Sequence, residues 1–137
     1  MYGNAAHAYQ SQQVLGVSKV KQVALLYDRA ISSLYEAIDA ISNRQIERRW
    51  QANKRAQDIL LTLYGALDEE IGQEFATNMG RLYMFALRRL PQVDIKNDPA
   101  PAREVLEILE PLSRTWHQLA ERELREGTLR DGEPTDA

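Results

Sequence analysis

From Ser18 to about Arg125 the apolar residues recur at alternating intervals of three and four, and this period constrains the fold more than any other feature of the sequence. Val20, Val23, Tyr27, Ala30, Leu34, Ala37 and Ile41 form one such row, widened by Ala24, Ile31 and Ile38. A strand would alternate every second residue, so the spacing predicts a helix. Ser18 suits its N-cap, and Ser42-Asn43 its stop.

The second segment, 44–67, carries two adjacent rows. One is Ala52, Ala56, Ile59, Leu63 and Ala66, and the other is Ile46, Trp50, Leu60, Tyr64 and Leu67. Together they make a face wide enough to touch two neighbouring helices. Asp68-Glu69-Glu70 and Gly72 mark a short connection. The third segment, 71–90, uses Phe75, Met79, Leu82, Tyr83, Ala86 and Leu90, and Pro91 is expected to end it. A loop through Asn97-Asp98-Pro99 then offers a polar cap followed by proline at the first helical position. The fourth segment runs through Val105, Leu109, Leu112, Trp116 and Leu119, with Pro111 predicting a kink near Glu107 to Pro111.

Short loops between long helices place consecutive helices side by side and antiparallel. The expected fold is therefore all-α, an antiparallel four-helix bundle over residues 18–125. A short N-terminal arm, 1–17, precedes it, and residues 126–137, with Gly127, Gly132 and Pro134, read as a disordered tail. A chain of 137 residues is enough for one such domain and too short for two.

Few residues here could carry chemistry. The chain has no cysteine, which removes disulfides, thiol catalysis and thiolate metal sites. Its two histidines, His7 and His117, lack the Glu-x-x-His spacing of a di-metal bundle, so no metal is expected. No Gly-rich phosphate loop or nucleophile elbow occurs, and Asp68-Glu69-Glu70 suits a solvated turn better than an acid–base pair. The expectation is a protein without catalytic residues and without a cofactor.

Arg44, Arg48 and Arg55, with Arg49 and Lys54 beside them, form a basic stripe on the second helix. Interspersed Glu47 and Asp58, and a net charge of -3, favour a solvated face over phosphate binding, and nucleic acid is not expected as a partner. Met1 to Val17 has no basic leader and no continuous apolar run, and no segment reaches the ~18 apolar residues of a membrane span. A cytoplasmic protein without membrane insertion is the expectation.

The apolar residues left over are more informative. Leu25, Tyr35, Leu61, Met84 and Leu87 lie off the main rows, and Leu82 to Leu87 is apolar almost all round. The arm adds Tyr9, Val14, Leu15 and Val17. Apolar surface beyond the needs of one core points to a partner, with these nine residues as candidates to bind it. One alternative is a tightly packed bundle with some exposed leucines, and another is a helical adaptor or regulatory protein that binds a different amphipathic helix.

Ser18-Lys19-Val20, Val23-Ala24-Leu25-Leu26-Tyr27-Asp28, Lys54-Arg55-Ala56-Gln57-Asp58-Ile59, Asn78 through Leu82-Tyr83 to Arg88-Arg89-Leu90, Lys96-Asn97-Asp98 with Glu104-Val105, and Arg114-Thr115-Trp116 follow one another in order. In this order they resemble the flagellin-specific export chaperones (FliS), over roughly residues 5 to 122. The chain differs from that family in having Lys19 where proline is usual, Arg29 where glycine is usual, and Phe85-Ala86-Leu87 in an aromatic-Met stretch. The resemblance implies a chaperone that binds the C-terminal segment of flagellin in a groove, prevents its premature polymerisation and delivers it to the flagellar type III export apparatus. It also implies an N-terminal segment, here around Tyr9, that covers part of the groove until flagellin displaces it. A co-chaperone or flagellar regulator sharing the surface is a further partner to consider.

Overall fold

Ser18 begins the first helix as its cap: its backbone is extended and its Oγ accepts the Lys21 amide at 3.0 Å, satisfying one of the free amides of the first turn. The computed structural model of the chain describes residues 18–67 and 72–132. Among these residues the helices are α1 (Lys19–Ser42), α2 (Ile46–Gly65), α3 (Gln73–Arg89), the short α4 (Pro91–Lys96) and α5 (Ala100–Gly132).

Contacts between the helices fix their directions. Glu36 on α1 meets Arg48 and Arg55 on α2, while Asn53 on α2 reaches the Leu90 carbonyl past the end of α3. Arg89 of α3 pairs with Glu104 near the start of α5, and Phe75 at the other end of α3 packs on Trp116. Tyr35 bonds Glu110 and Asp28 bonds His117, closing α5 back onto α1. At each seam, rising numbers on one helix meet falling numbers on the next. The four long helices form an antiparallel bundle.

The core is built from the expected rows. Tyr27, Ala30 and Leu34 of α1 cluster with Ala56, Ile59, Leu60 and Leu63 of α2, Met79, Tyr83 and Ala86 of α3, and Val105, Leu106 and Leu109 of α5. Ala24, Ala30 and Ala37 of α1 and Ala52 and Ala56 of α2 are fully buried. Small side chains there let two helices approach closely without leaving voids.

One departure from the sequence reading has a physical cause. Pro91 does not open a loop; it starts α4, because proline at the first helical position sacrifices an amide that would be unpaired anyway. Asn97, left-handed at φ 49°, stops that helix, and Asp98 Oδ1 accepts the Ala100 amide at 2.9 Å to start α5. Pro111, where a kink is expected, lies inside α5 at an exposed position, and the helix continues through it.

At its far end α5 continues to Gly132, past the expected limit near 125. Glu121-Arg122-Glu123-Leu124-Arg125-Glu126 is rich in good helix formers, and Glu121 precedes Arg125 at the favourable spacing of four. The remaining tail, 133–137, and the arm, 1–17, lie outside the described residues.

A polar cluster ties α4 to the bundle. Asn53 is fully buried, and its Nδ2 donates to the Leu90 carbonyl at 2.8 Å and to Asp94 Oδ2 at 2.9 Å. Arg49 donates to Asp94 Oδ1 at 3.0 Å and to Asn97 Oδ1. One carboxylate thus receives both α2 side chains and fixes how α4 sits on α2.

Candidate partner-binding groove

Between α2 and α3 the core is not closed over. Tyr64 and Leu67 on one side, with Ala76, Thr77, Gly80, Met84 and Phe85 on the other, line an open cavity of about 670 Å³. Helical spacing creates it: Thr77, Arg81, Met84 and Arg88 follow at four, three and four, so they share one face of α3. Tyr83 and Ala86 are buried on the opposite face.

Gly72 opens α3 at φ 154°, a conformation that other residues rarely adopt, and its carbonyl accepts the Ala76 amide. One helical turn beyond Ala76, Gly80 has no side chain to compete with the ring of Tyr64 and the side chain of Leu67. A Cβ there would stand 3.6 Å from each. Phe85 is 45% exposed and Tyr64 40%, large values for aromatic rings lining a cavity. Leu61, 37% exposed, stands three residues before Tyr64 on the same face of α2. Trp50 extends the exposed apolar row toward the start of α2.

The sequence-derived candidates divide into four groups. Met84 lines the groove, and Leu61 lies beside it. Leu87 is half-buried and packs against the core. Leu25 and Tyr35 are exposed, but on α1, which lines no part of this cavity. Tyr9, Val14, Leu15 and Val17 lie outside the described residues.

Tyr35 has a structural partner. Its hydroxyl donates to Glu110 Oε1 at 2.7 Å across the α1–α5 seam, and this hydrogen bond to a carboxylate, more than desolvation, raises its pKa.

Tyr64, Leu67 and Phe85 were less legible as site residues. Tyr64 and Leu67 belong to a row read as core, and Phe85 to a stretch apolar on all sides. The available signal was the width of the α2 apolar face, which exceeds what its buried residues use.

The basic stripe of α2 is largely compensated. Arg48 is held by Asp39 at 2.8 Å and by Glu36 at 3.4 Å, Arg55 by Glu36 at 3.1 Å, and Lys54 by Asp58 at 3.0 Å. Asp39 first, then Glu36, raises the Arg48 pKa. Among the described residues no group of histidine, aspartate or glutamate side chains is arranged to hold a metal ion, and no helix is long and apolar enough to cross a membrane.

Comparison with known proteins gives a single family. The family model described as "Flagellar protein FliS" matches residues 2–123. The flagellar secretion chaperone FliS of Salmonella typhimurium is 31% identical over 108 residues, 78% of this chain and 80% of that protein. The Vibrio cholerae chaperone of the same name is 30% identical over 107 residues, covering 78% and 79% of the two chains. That of Bacillus subtilis is 29% identical over 123 residues, covering 90% and 91%. The match spans the arm, all four long helices and the groove between α2 and α3: the chain belongs to the FliS family of flagellar secretion chaperones.

Proposed function

We propose that this protein is a cytoplasmic chaperone that holds the C-terminal segment of flagellin against the groove between α2 and α3, prevents its premature polymerisation and delivers it to the flagellar export apparatus. The observation that carries this reading is the groove itself: a row of half-exposed aromatic and aliphatic side chains where the core is left open between α2 and α3. A client segment that folds on binding loses chain entropy, and burial of its apolar side chains along such a row offsets the loss. Helix-in-groove recognition uses this kind of surface, with anchors at intervals of three and four.

The arm around Tyr9, with Val14, Leu15 and Val17, acts in this reading as a cover that flagellin displaces. Tyr9→Ala should then raise the affinity for flagellin, and unchanged affinity removes the arm from the mechanism. The function is tested by calorimetric titration with a peptide of the last ~50 residues of a flagellin from the same organism. One-to-one binding, a negative heat-capacity change and helix gained by the peptide are expected. Absence of binding at any salt concentration overturns the proposal.

A further inference from the structure

Arg88 and Arg89 are adjacent in sequence but face different neighbours. Arg89 donates to Glu104 of α5 at 2.6 Å, whereas Arg88 lies on the wall of the α2–α3 groove, as does Arg81. Both groove arginines are exposed, and neither is paired with a carboxylate among the described residues. Nearby cations behave otherwise, since Arg48, Arg49, Lys54, Arg55 and Arg89 are all in ion pairs. In a chain of net charge -3, this groove is therefore edged by two guanidiniums that no described carboxylate compensates.

Their spacing is specific. Seven residues on one helix face correspond to a rise of about 10.5 Å, and Met84 and Phe85 lie between them. A partner helix laid along α3 with apolar side chains on Met84, Phe85 and Tyr64 would pass both guanidiniums along one edge. Carboxylates on that edge, two turns apart, would meet them as charge-assisted and potentially bidentate partners.

We infer that Arg81 and Arg88 form an acid-reading edge of the groove, selecting a client segment that is apolar on one face and carries Asp or Glu at positions i and i+7 beside it. The inference rests on the groove being the client site. Rim charges of this kind steer association and set register more than they add affinity. The basic edge would also reject basic amphipathic segments, which the apolar row alone would accept.

The test uses the same flagellin peptide with the full-length protein, wild type and Arg81→Gln/Arg88→Gln. Both side chains are exposed, so the variant should melt as the wild type does. Affinity is expected to fall about tenfold, mainly through a slower association rate, and to lose most of its dependence on salt between 50 and 500 mM. A peptide with its Asp and Glu residues changed to Asn and Gln should show the same loss with the wild type and little further loss with the double variant.

Wild-type affinity and an unchanged salt dependence in the double variant would overturn the acid-reading edge while leaving the chaperone reading intact. Failure of the wild type to bind the peptide would overturn both. Displacement of the peptide by a single-stranded oligonucleotide, abolished in the double variant, would assign the arginines to phosphate and overturn the inference.

Discussion

The hydroxyls of Tyr27 on α1 and Tyr83 on α3 lie 2.6 Å apart in the core and join the two helices diagonally across the bundle. Both residues are almost wholly buried, and their ring centroids are 6.4 Å apart. Trp116 of α5 lies beside Tyr27, with ring centroids 6.4 Å apart. A hydroxyl pair in an apolar core needs each member to satisfy the other, so this contact fixes the relative heights of α1 and α3 as no apolar contact could.

Removing one hydroxyl should cost more than removing both. Tyr83→Phe leaves the Tyr27 hydroxyl without its core partner and should destabilise by about 1–2 kcal/mol. Tyr27→Phe/Tyr83→Phe removes donor and acceptor together and should lose less than the sum of the single variants. Urea denaturation of the four proteins measures the coupling. Strict additivity would mean that the two hydroxyls do not depend on each other.

The same pair predicts an alkaline limit to stability. Burial first, with the neighbouring tyrosine in addition, raises the pKa of Tyr83, and burial also raises that of Tyr27. In the unfolded chain a tyrosine ionises near pH 10. Above that value the folded state retains protons that the unfolded state releases, so stability is full below about pH 10 and falls as pH rises further. Thermal melts from pH 8 to 11.5 should be level and then decline, with the decline reduced in Tyr27→Phe/Tyr83→Phe. An equal decline in that variant would place the alkaline sensitivity elsewhere.

Asp94 is predicted to be the weak point of the α2–α4 junction. Its side chain accepts from both Arg49 and Asn53, and the Arg49 side chain is only 10% exposed. Asp94→Ala would leave a nearly buried guanidinium without its carboxylate and should destabilise by about 2–4 kcal/mol. Hydrogen exchange should show the loss first at the amides of α4. Stability within about 0.5 kcal/mol of wild type would show that water replaces the carboxylate without penalty.

Gly80→Ala separates stability from function. Glycine inside a helix is about 1 kcal/mol less favourable than alanine. The added methyl would meet Leu67 and Tyr64 at 3.6 Å, an ordinary contact. The melting temperature should rise by about 3 °C, while the shallower groove binds flagellin less tightly. A lower melting temperature would mean that the Tyr64 ring cannot accommodate the methyl.

Much of this architecture is legible in the sequence because core positions obey a single period. Tyr27, Leu34, Leu60, Met79 and Leu109 each lie on an expected row and each is buried. The site is less legible because a helix face can be apolar for two reasons. Ile46, Trp50 and Tyr64 share the spacing of Leu60, yet they are exposed, since α2 has more apolar circumference than its neighbours cover. Leu87 has the opposite problem: off the main row by spacing, it still reaches the core because α3 is packed on more than one side. The short helix α4 escaped notice because proline signals both a helix end and a helix start.

The central claim, that the client lies between α2 and α3, is tested most directly at a methionine. Met84 lines the groove, whereas Met79, five residues away on the same helix, is buried in the core. With methyl-labelled methionine, stoichiometric addition of the flagellin C-terminal peptide should shift the Met84 resonance strongly and that of Met79 much less. A peptide that binds, by calorimetry, while Met84 stays unmoved would place the client elsewhere on the bundle.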